Sequence, residues 1–184
     1  MSSNMRSLIP HPHELRAIQA GTLRQSWRPM KEQPPYLTMG KSTAFALAKQ
    51  APYQPGDILA VKETWCNTWP FTGQKCPEGP CYRSTDEGDC GAALTGQKWS
   101  SPATMPAWAA RSWLRVTGVA AKRVRDMTED DAQAIGVQPS NYDGFLGGAS
   151  IVWDALYAGR GLSWATNPWC FVTTVEQTKK PEAL

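Results

Sequence analysis

Five cysteines, a pair of histidines and one polar run are the residues of this chain whose types and spacing could do chemistry. Cys76 and Cys81 have four residues between them, with Cys66 and Cys90 on either side. Four thiolates there would hold zinc tetrahedrally and organise the segment around them. Read without a metal, they are reduced thiols in a surface loop. In a cytosolic chain cysteines are thiols or metal ligands before they are disulfides. His11 and His13 are too few for a catalytic metal site and sit beside prolines at the start of a helix. With no Gly-x-Ser-x-Gly elbow, a Ser-His-Asp hydrolase is not indicated. Phosphate-binding P-loops and dinucleotide fingerprints are absent.

The polar run is more informative. Arg24, Gln25, Ser26 and Arg28 follow a helix end, and alternation would project them in sets onto one face. Lys62 and Glu63 interrupt an otherwise apolar strand. One account is a strand with a face in water or a structural Lys–Glu pair. The other is a cleft wall where Glu63 binds a polar group or moves a proton. Trp27, Trp65, Trp69, Trp99 and Trp108 fall in turns or at strand ends, where they could stack bases or plug the fold's ends; Trp113, Trp153 and Trp169 read as core.

These residues need elements to position them. Pro12 suits a first helical position and Gly21 a C-terminal cap, so residues 12–21 read as a helix. Residues 42–50 read as a second. Pro55-Gly56-Asp57 is a turn that launches a strand through 58–65. Two paired strands are expected at 113–119 and 121–125 around Gly118. Thr128 caps a helix to Ala134, with Asp131 completing a capping box and Gly136 ending it. Gly144-Phe145-Leu146-Gly147-Gly148 reads as a flexible turn before a helix over 149–158, and 169–176 as a last strand. Residues 66–100 show no periodicity. The chain of 184 residues is long enough for one domain with a real core, and its charge is balanced, 19 Lys+Arg against 16 Asp+Glu. That permits a nucleic-acid partner without demanding one. No apolar run spans a bilayer and the first ten residues lack a signal-peptide core, so the expectation is a cytoplasmic protein with no membrane partner.

Taken in order, a set of motifs resembles a known family: Ala17-Ile18-Gln19-Ala20-Gly21, the run to Arg28, Pro55-Gly56-Asp57, Lys62-Glu63-Thr64-Trp65, Met105-Pro106-Ala107-Trp108-Ala109-Ala110-Arg111, Val116-Thr117-Gly118-Val119, Met127-Thr128-Glu129-Asp130-Asp131-Ala132 with Gly136, Trp153-Asp154 and Asn167-Pro168-Trp169. The set resembles the phage and prophage branch of the ASCH (activating-signal-cointegrator homology) family, within the PUA-like superfamily, over residues 6–177. The resemblance implies an α+β fold: a small β-barrel with short helices around a cleft. It would form a single domain over 1–184, with 66–100 a long Cys-rich insertion and 178–184 a flexible tail. It implies binding of RNA or nucleotides in that cleft, and in some members hydrolysis of N4-acetylcytidine.

Those hydrolases resemble a Gly-x-Lys-x-x-Thr/Glu-x-Arg signature, matched here by Gly21-Thr22-Leu23-Arg24-Gln25-Ser26-Trp27-Arg28. Gly21 and Arg28 match, Ser26 replaces Thr or Glu, and Leu23 stands at the lysine. A family glutamate falls at Ile135. Leucine and isoleucine can neither activate water nor donate a proton, and an arginine is a poor base. The expectation is therefore binding rather than catalysis. The partner is RNA, single-stranded DNA or a modified nucleoside, met by Arg24, Gln25, Ser26, Trp27, Arg28, Lys62, Trp65 and Arg111. No cofactor is expected beyond a structural zinc on Cys66, Cys76, Cys81 and Cys90. The alternatives are an acetylcytidine-type hydrolase working through Glu63 and Ser26, and a phage protein that binds a host protein in the host cytoplasm.

Overall fold

The computed structural model describes residues 4–34, 41–67, 79–84 and 99–182, without the side chains of 41–43. A short strand β1 (Met5–Leu8) leads into helix α1 (Pro12–Gln19). Pro12 opens α1, its first turn carries Glu14, and Gly21 turns the chain away at φ +72°, a conformation glycine adopts freely. Strand β2 (Gln25–Pro29) follows, then helix α2 (Lys41–Ala48) and strand β3 (Ile58–Val61). Strands β4 (Trp65–Cys66) and β5 (Cys81–Tyr82) form a separate antiparallel pair. The long strand β6 (Trp113–Arg123), helix α3 (Glu129–Ala134), helix α4 (Gly144–Tyr157) and strand β7 (Trp169–Thr178) complete the chain. Thr128 caps α3 as the capping box predicts: its hydroxyl accepts from the Asp131 N–H at 3.1 Å.

The main sheet runs β1-β3-β6-β7-β2, with β1 parallel to β3 and the other pairs antiparallel. Among the described residues β1 and β2 are unpaired edges. The expected barrel is therefore an open five-stranded sheet rather than a closed one. One face packs Leu59, Val61, Leu114, Val116 and Val175 against Leu8, Ala17, Ile18 and Leu23. The other packs Trp27, Cys170 and Val172 against α3 and α4 through Ala132, Ile135, Ala149, Trp153 and Tyr157. Leu23 and Ile135, the apolar substitutes in the hydrolase signature, are thus core residues of the two faces.

Three sequence expectations change. Gly118 does not separate two strands; β6 is continuous, with a register shift between Val116 and Gly118. Such a bulge adds a residue to one strand without ending it. The glycine-rich run at 144–148 is not a turn but the first turns of α4. These glycines are there for closeness: a Cβ on Gly148 would lie 1.9 Å from the Gln138 carbonyl oxygen, and one on Gly147 would lie 2.4 Å from Ser140 Oγ. Finally, β1 was not expected, because its Met-Arg-Ser-Leu carries no alternation. Of the expected insertion, only the stretches around β4, β5 and Ser100 lie among the described residues.

Replacing Gly148 by Ala forces backbone to move. It is expected to destabilise by about 1–3 kcal/mol, lowering the melting temperature by several degrees. Gly159→Ala, where nothing lies within 4 Å, is the control and leaves the melt within about a degree or raises it slightly. Thermal unfolding followed by circular dichroism checks both.

Candidate functional site

Charge is buried where α1 crosses β2. Glu14, on the first turn of α1, is 1% exposed. Its Oε1 accepts from Arg28 Nη1 at 2.7 Å and its Oε2 from Arg28 Nη2 at 2.5 Å, a bidentate fork. Oε2 also accepts the His11 backbone N–H at 2.8 Å. Burial pushes the Glu14 carboxyl up, but the Arg28 guanidinium and the His11 N–H outweigh it and hold it below the ordinary carboxylate range. Ser26 shares the Arg28 face of β2 by alternation and is buried. Its hydroxyl stands close enough to help hold the Glu14 charge, yet it makes no hydrogen bond. On the far side, Tyr157 hydroxyl meets His11 Nε2 at 2.8 Å, and the His11 and His13 rings stack at 5.9 Å. Burial, then the Arg28 charge, pushes the His11 imidazole down to about 4. A cavity of about 20 Å³, little more than one water, lies among His11, Arg28, Ile135 and Tyr157.

Arg28 also faces a second, larger space. A cleft of about 650 Å³ opens between the β2–β7 edge and the end of α2. Its walls are Pro29, Met30, Leu47, Pro52 and Phe171, with Arg28 at the rim. Arg28 and Phe171 are opposite in the β2–β7 register, so their side chains leave the same face of the sheet, and both line the cleft. Arg28 keeps donors to spare: beyond its bonds to Glu14 and the Trp27 carbonyl, Nε and one Nη2 hydrogen have no partner among the described residues. Gln50 adds an amide, and Lys31 with Glu32 adds two exposed charges of opposite sign. Behind the cleft, Trp169 packs with Met30, Leu47 and Phe171.

Glu63 belongs to a different cluster. Both of its oxygens accept from Arg111 at 2.8 Å, and Ser84 donates to Oε2 at 2.5 Å. Tyr82 lies under the Arg111 guanidinium at 4.2 Å. Gln19, at the other end of α1, reaches Ser84 at 2.9 Å. Glu14 and Gln19 are five residues apart on the helix, about 7.5 Å along its axis. Ser26 and Glu63 therefore sit at opposite ends of α1 rather than around one ligand.

The remaining expected contacts are dispersed. Arg24 turns its guanidinium onto the Gly21 and Leu23 carbonyls. Gln25 donates to Asp131 at 2.8 Å and accepts from Trp27. Trp27 is 3% exposed and is core, so it has no face for a base. Lys62 lies just past the end of β3, which stops at Val61 rather than running to 65; its backbone N–H donates to the Leu8 carbonyl at 2.8 Å. Trp65 meets Trp108 edge-on at 6.4 Å, beside the Glu63 cluster. Cys81 is disulfide-bonded, which takes its sulfur out of the thiolate set read from the spacing; Cys66 is buried, and Cys76 and Cys90 lie outside the described residues. Among the described residues no three His, Cys, Asp or Glu side chains come together to hold a metal, and no helix is long and apolar enough to cross a membrane. Sequence reasoning missed Glu14, Phe171 and Gln50. Phe171 alone carried a signal, as the register neighbour of the Arg28 position once β2 and β7 are paired.

Acid should act on this site in two steps. The His11 and His13 imidazoles are both held below 6.5 in the fold, chiefly by burial. The unfolded chain therefore takes up protons first, and stability falls as the pH drops from 6.5 towards about 4. Glu14, depressed below 4.5, contributes stability above that value that is lost at still lower pH. A melting-temperature series from pH 7 to pH 3 should show both limbs, with His11→Gln weakening only the first. At neutral pH Glu14→Gln should cost about 3–5 kcal/mol, because it strands a buried guanidinium.

Comparison with known proteins finds similarity of shape only. No protein-family model matches the chain, and no curated protein matches it. Among solved structures, an ASCH domain from Lactobacillus crispatus JV V101 is similar at 9% identity, with a TM-score of 0.45 over 95% of this chain and 79% of that one. A DUF984 protein from Enterococcus faecalis V583 is similar at 10% identity, with a TM-score of 0.44 over 97% of this chain and 82% of that one. Neither structure speaks to the phage and prophage branch that the motif order resembles.

Proposed function

We propose that the chain binds a single nucleoside, including one with a modified base, in the cleft beside Arg28. The observation that carries this reading is that Phe171 and Arg28, opposite each other in the register, both line a space of about 650 Å³ with Pro29, Met30, Leu47 and Pro52 in its walls. That volume lies within the range of small-molecule sites. The Phe171 ring offers a stacking surface, the guanidinium donors suit the carbonyl of a base, and the Gln50 amide can both give and accept a hydrogen bond. Binding of an RNA or single-stranded DNA chain is the competing reading. It is less well supported, because strand binding needs a track of unpaired cations. Here Arg28 is neutralised by Glu14, Arg24 is turned onto the Gly21 and Leu23 carbonyls, and neither Arg24 nor Lys62 lines the cleft.

Turnover has weaker support again. A hydrolase would need Ser26 or Glu63 to reach the ligand. The Ser26 hydroxyl has no contact with solvent and Glu63 is held on both oxygens. Leu23 and Ile135 replace the polar groups of the hydrolases that the motif resembles.

Titration with ribonucleosides, N4-acetylcytidine among them, followed by tryptophan fluorescence tests this, since Trp169 packs behind the cleft. The expected result is saturable quenching that does not change with salt and no release of acetate. Phe171→Ala should lower affinity at least tenfold, in line with about 1–3 kcal/mol for a base–aromatic stack, and Gln50→Ala should lower it severalfold. Salt-sensitive binding of short RNA without nucleoside binding would favour the strand reading. Binding of none of these would overturn the cleft reading and turn attention to a protein partner.

A further inference from the structure

We infer that Glu14 sets the charge preference of the cleft, admitting neutral nucleosides and rejecting their phosphorylated forms; the inference rests on the nucleoside reading above. An arginine at the rim of an apolar cleft is ordinarily a phosphate site, because its planar fork matches two phosphate oxygens. In this chain that fork is already occupied by a carboxylate of the same shape. Glu14 takes one hydrogen from each terminal nitrogen of Arg28, at 2.7 and 2.5 Å, from a position 1% exposed. A phosphate approaching Arg28 would find the fork filled and a negative charge directly behind it. A base carbonyl needs only one of the spare donors and carries no charge to be repelled. The other ionic groups lining the cleft, Lys31 and Glu32, are adjacent and opposite in sign, so they add no net attraction for an anion.

The role is separable from the helix cap. Glu14 Oε2 accepts the His11 N–H at 2.8 Å and so also serves as the capping residue of α1. That contact uses one oxygen and would be met equally by a glutamine. The fork on Arg28 uses both oxygens and the charge. The depressed carboxyl of Glu14 keeps that charge in place at neutral pH. Glu14→Gln therefore preserves size and capping while removing the neutralisation and one hydrogen bond of the fork.

The experiment compares the four ribonucleosides with their 5′-monophosphates by isothermal titration at two salt concentrations. Wild-type protein should bind the preferred nucleoside at least tenfold more tightly than its monophosphate, with little salt dependence. In Glu14→Gln the ratio should fall at least tenfold, and the monophosphate affinity should become salt-sensitive, which a loss of capping would not produce. Glu182→Gln, at an exposed position that does not line the cleft, should shift the ratio by no more than about twofold, as expected for a screened surface charge. A wild-type protein that binds the monophosphate as tightly as the nucleoside overturns the inference even if Glu14→Gln does not fold. So does a folded Glu14→Gln protein with an unchanged ratio. Failure of wild type to bind any nucleoside sinks the nucleoside reading itself, a result distinct from either.

Discussion

The corner where α1 meets β2 depends on one constraint: a guanidinium and a carboxylate taken from water must stay together. Removing either partner of the Glu14–Arg28 pair leaves a charge in a place that cannot solvate it. The pair therefore fixes how α1 lies over the sheet and where the Arg28 plane points. His11, His13, Tyr157 and Ser26 are arranged around that plane. The cleft on the other side inherits an arginine whose orientation is already decided.

A second carboxylate–arginine clamp, Glu63 with Arg111, sits near the opposite end of the same helix, and Gln19 reaches into it. An eight-residue helix has little stability of its own in water. Here α1 is held by ionic groups at both ends and by Ala17 and Ile18 in the core between them. Glu63, which reads as chemistry in the sequence, is in this way also a fastener of the helix end. A buried acid held on both oxygens by an arginine and a hydroxyl serves position better than proton transfer.

Much of the fold was legible because its punctuation is local. Pro12 and Gly21 bracket α1, Thr128 with Asp131 starts α3, and the aromatic and β-branched run after Pro168 is β7. The missed features depend on distant partners. β1 exists because β3 lies beside it, not because its own residues prefer a strand. The start of α4 is hidden by glycines whose purpose is close packing against residues 138–140 and Asp143. At the candidate site, the sequence singled out Arg28, which the structure places in the lining of the cleft. It could not show that Glu14, an ordinary first-turn acid, would neutralise it, or that Trp27 and Arg28, neighbours in the chain, would face opposite sides of the sheet.

The bulge in β6 has an evolutionary reading. Before it, Leu114 and Val116 face the α1 side; after it, Val119 and Ala121 continue that face, and Lys122 comes to lie over Trp27 on the other. The strand thus counts in twos except at one place. Lineages of this fold should tolerate gain or loss of residues in β6 only in even numbers, or loss of one at the bulge, where a deletion would regularise the ladder and leave every later residue on its own face; a single deletion elsewhere would turn the rest of the strand inside out. Gly118 therefore marks the point where the reading phase of the strand is set, and length variation among descendants should stop on either side of it.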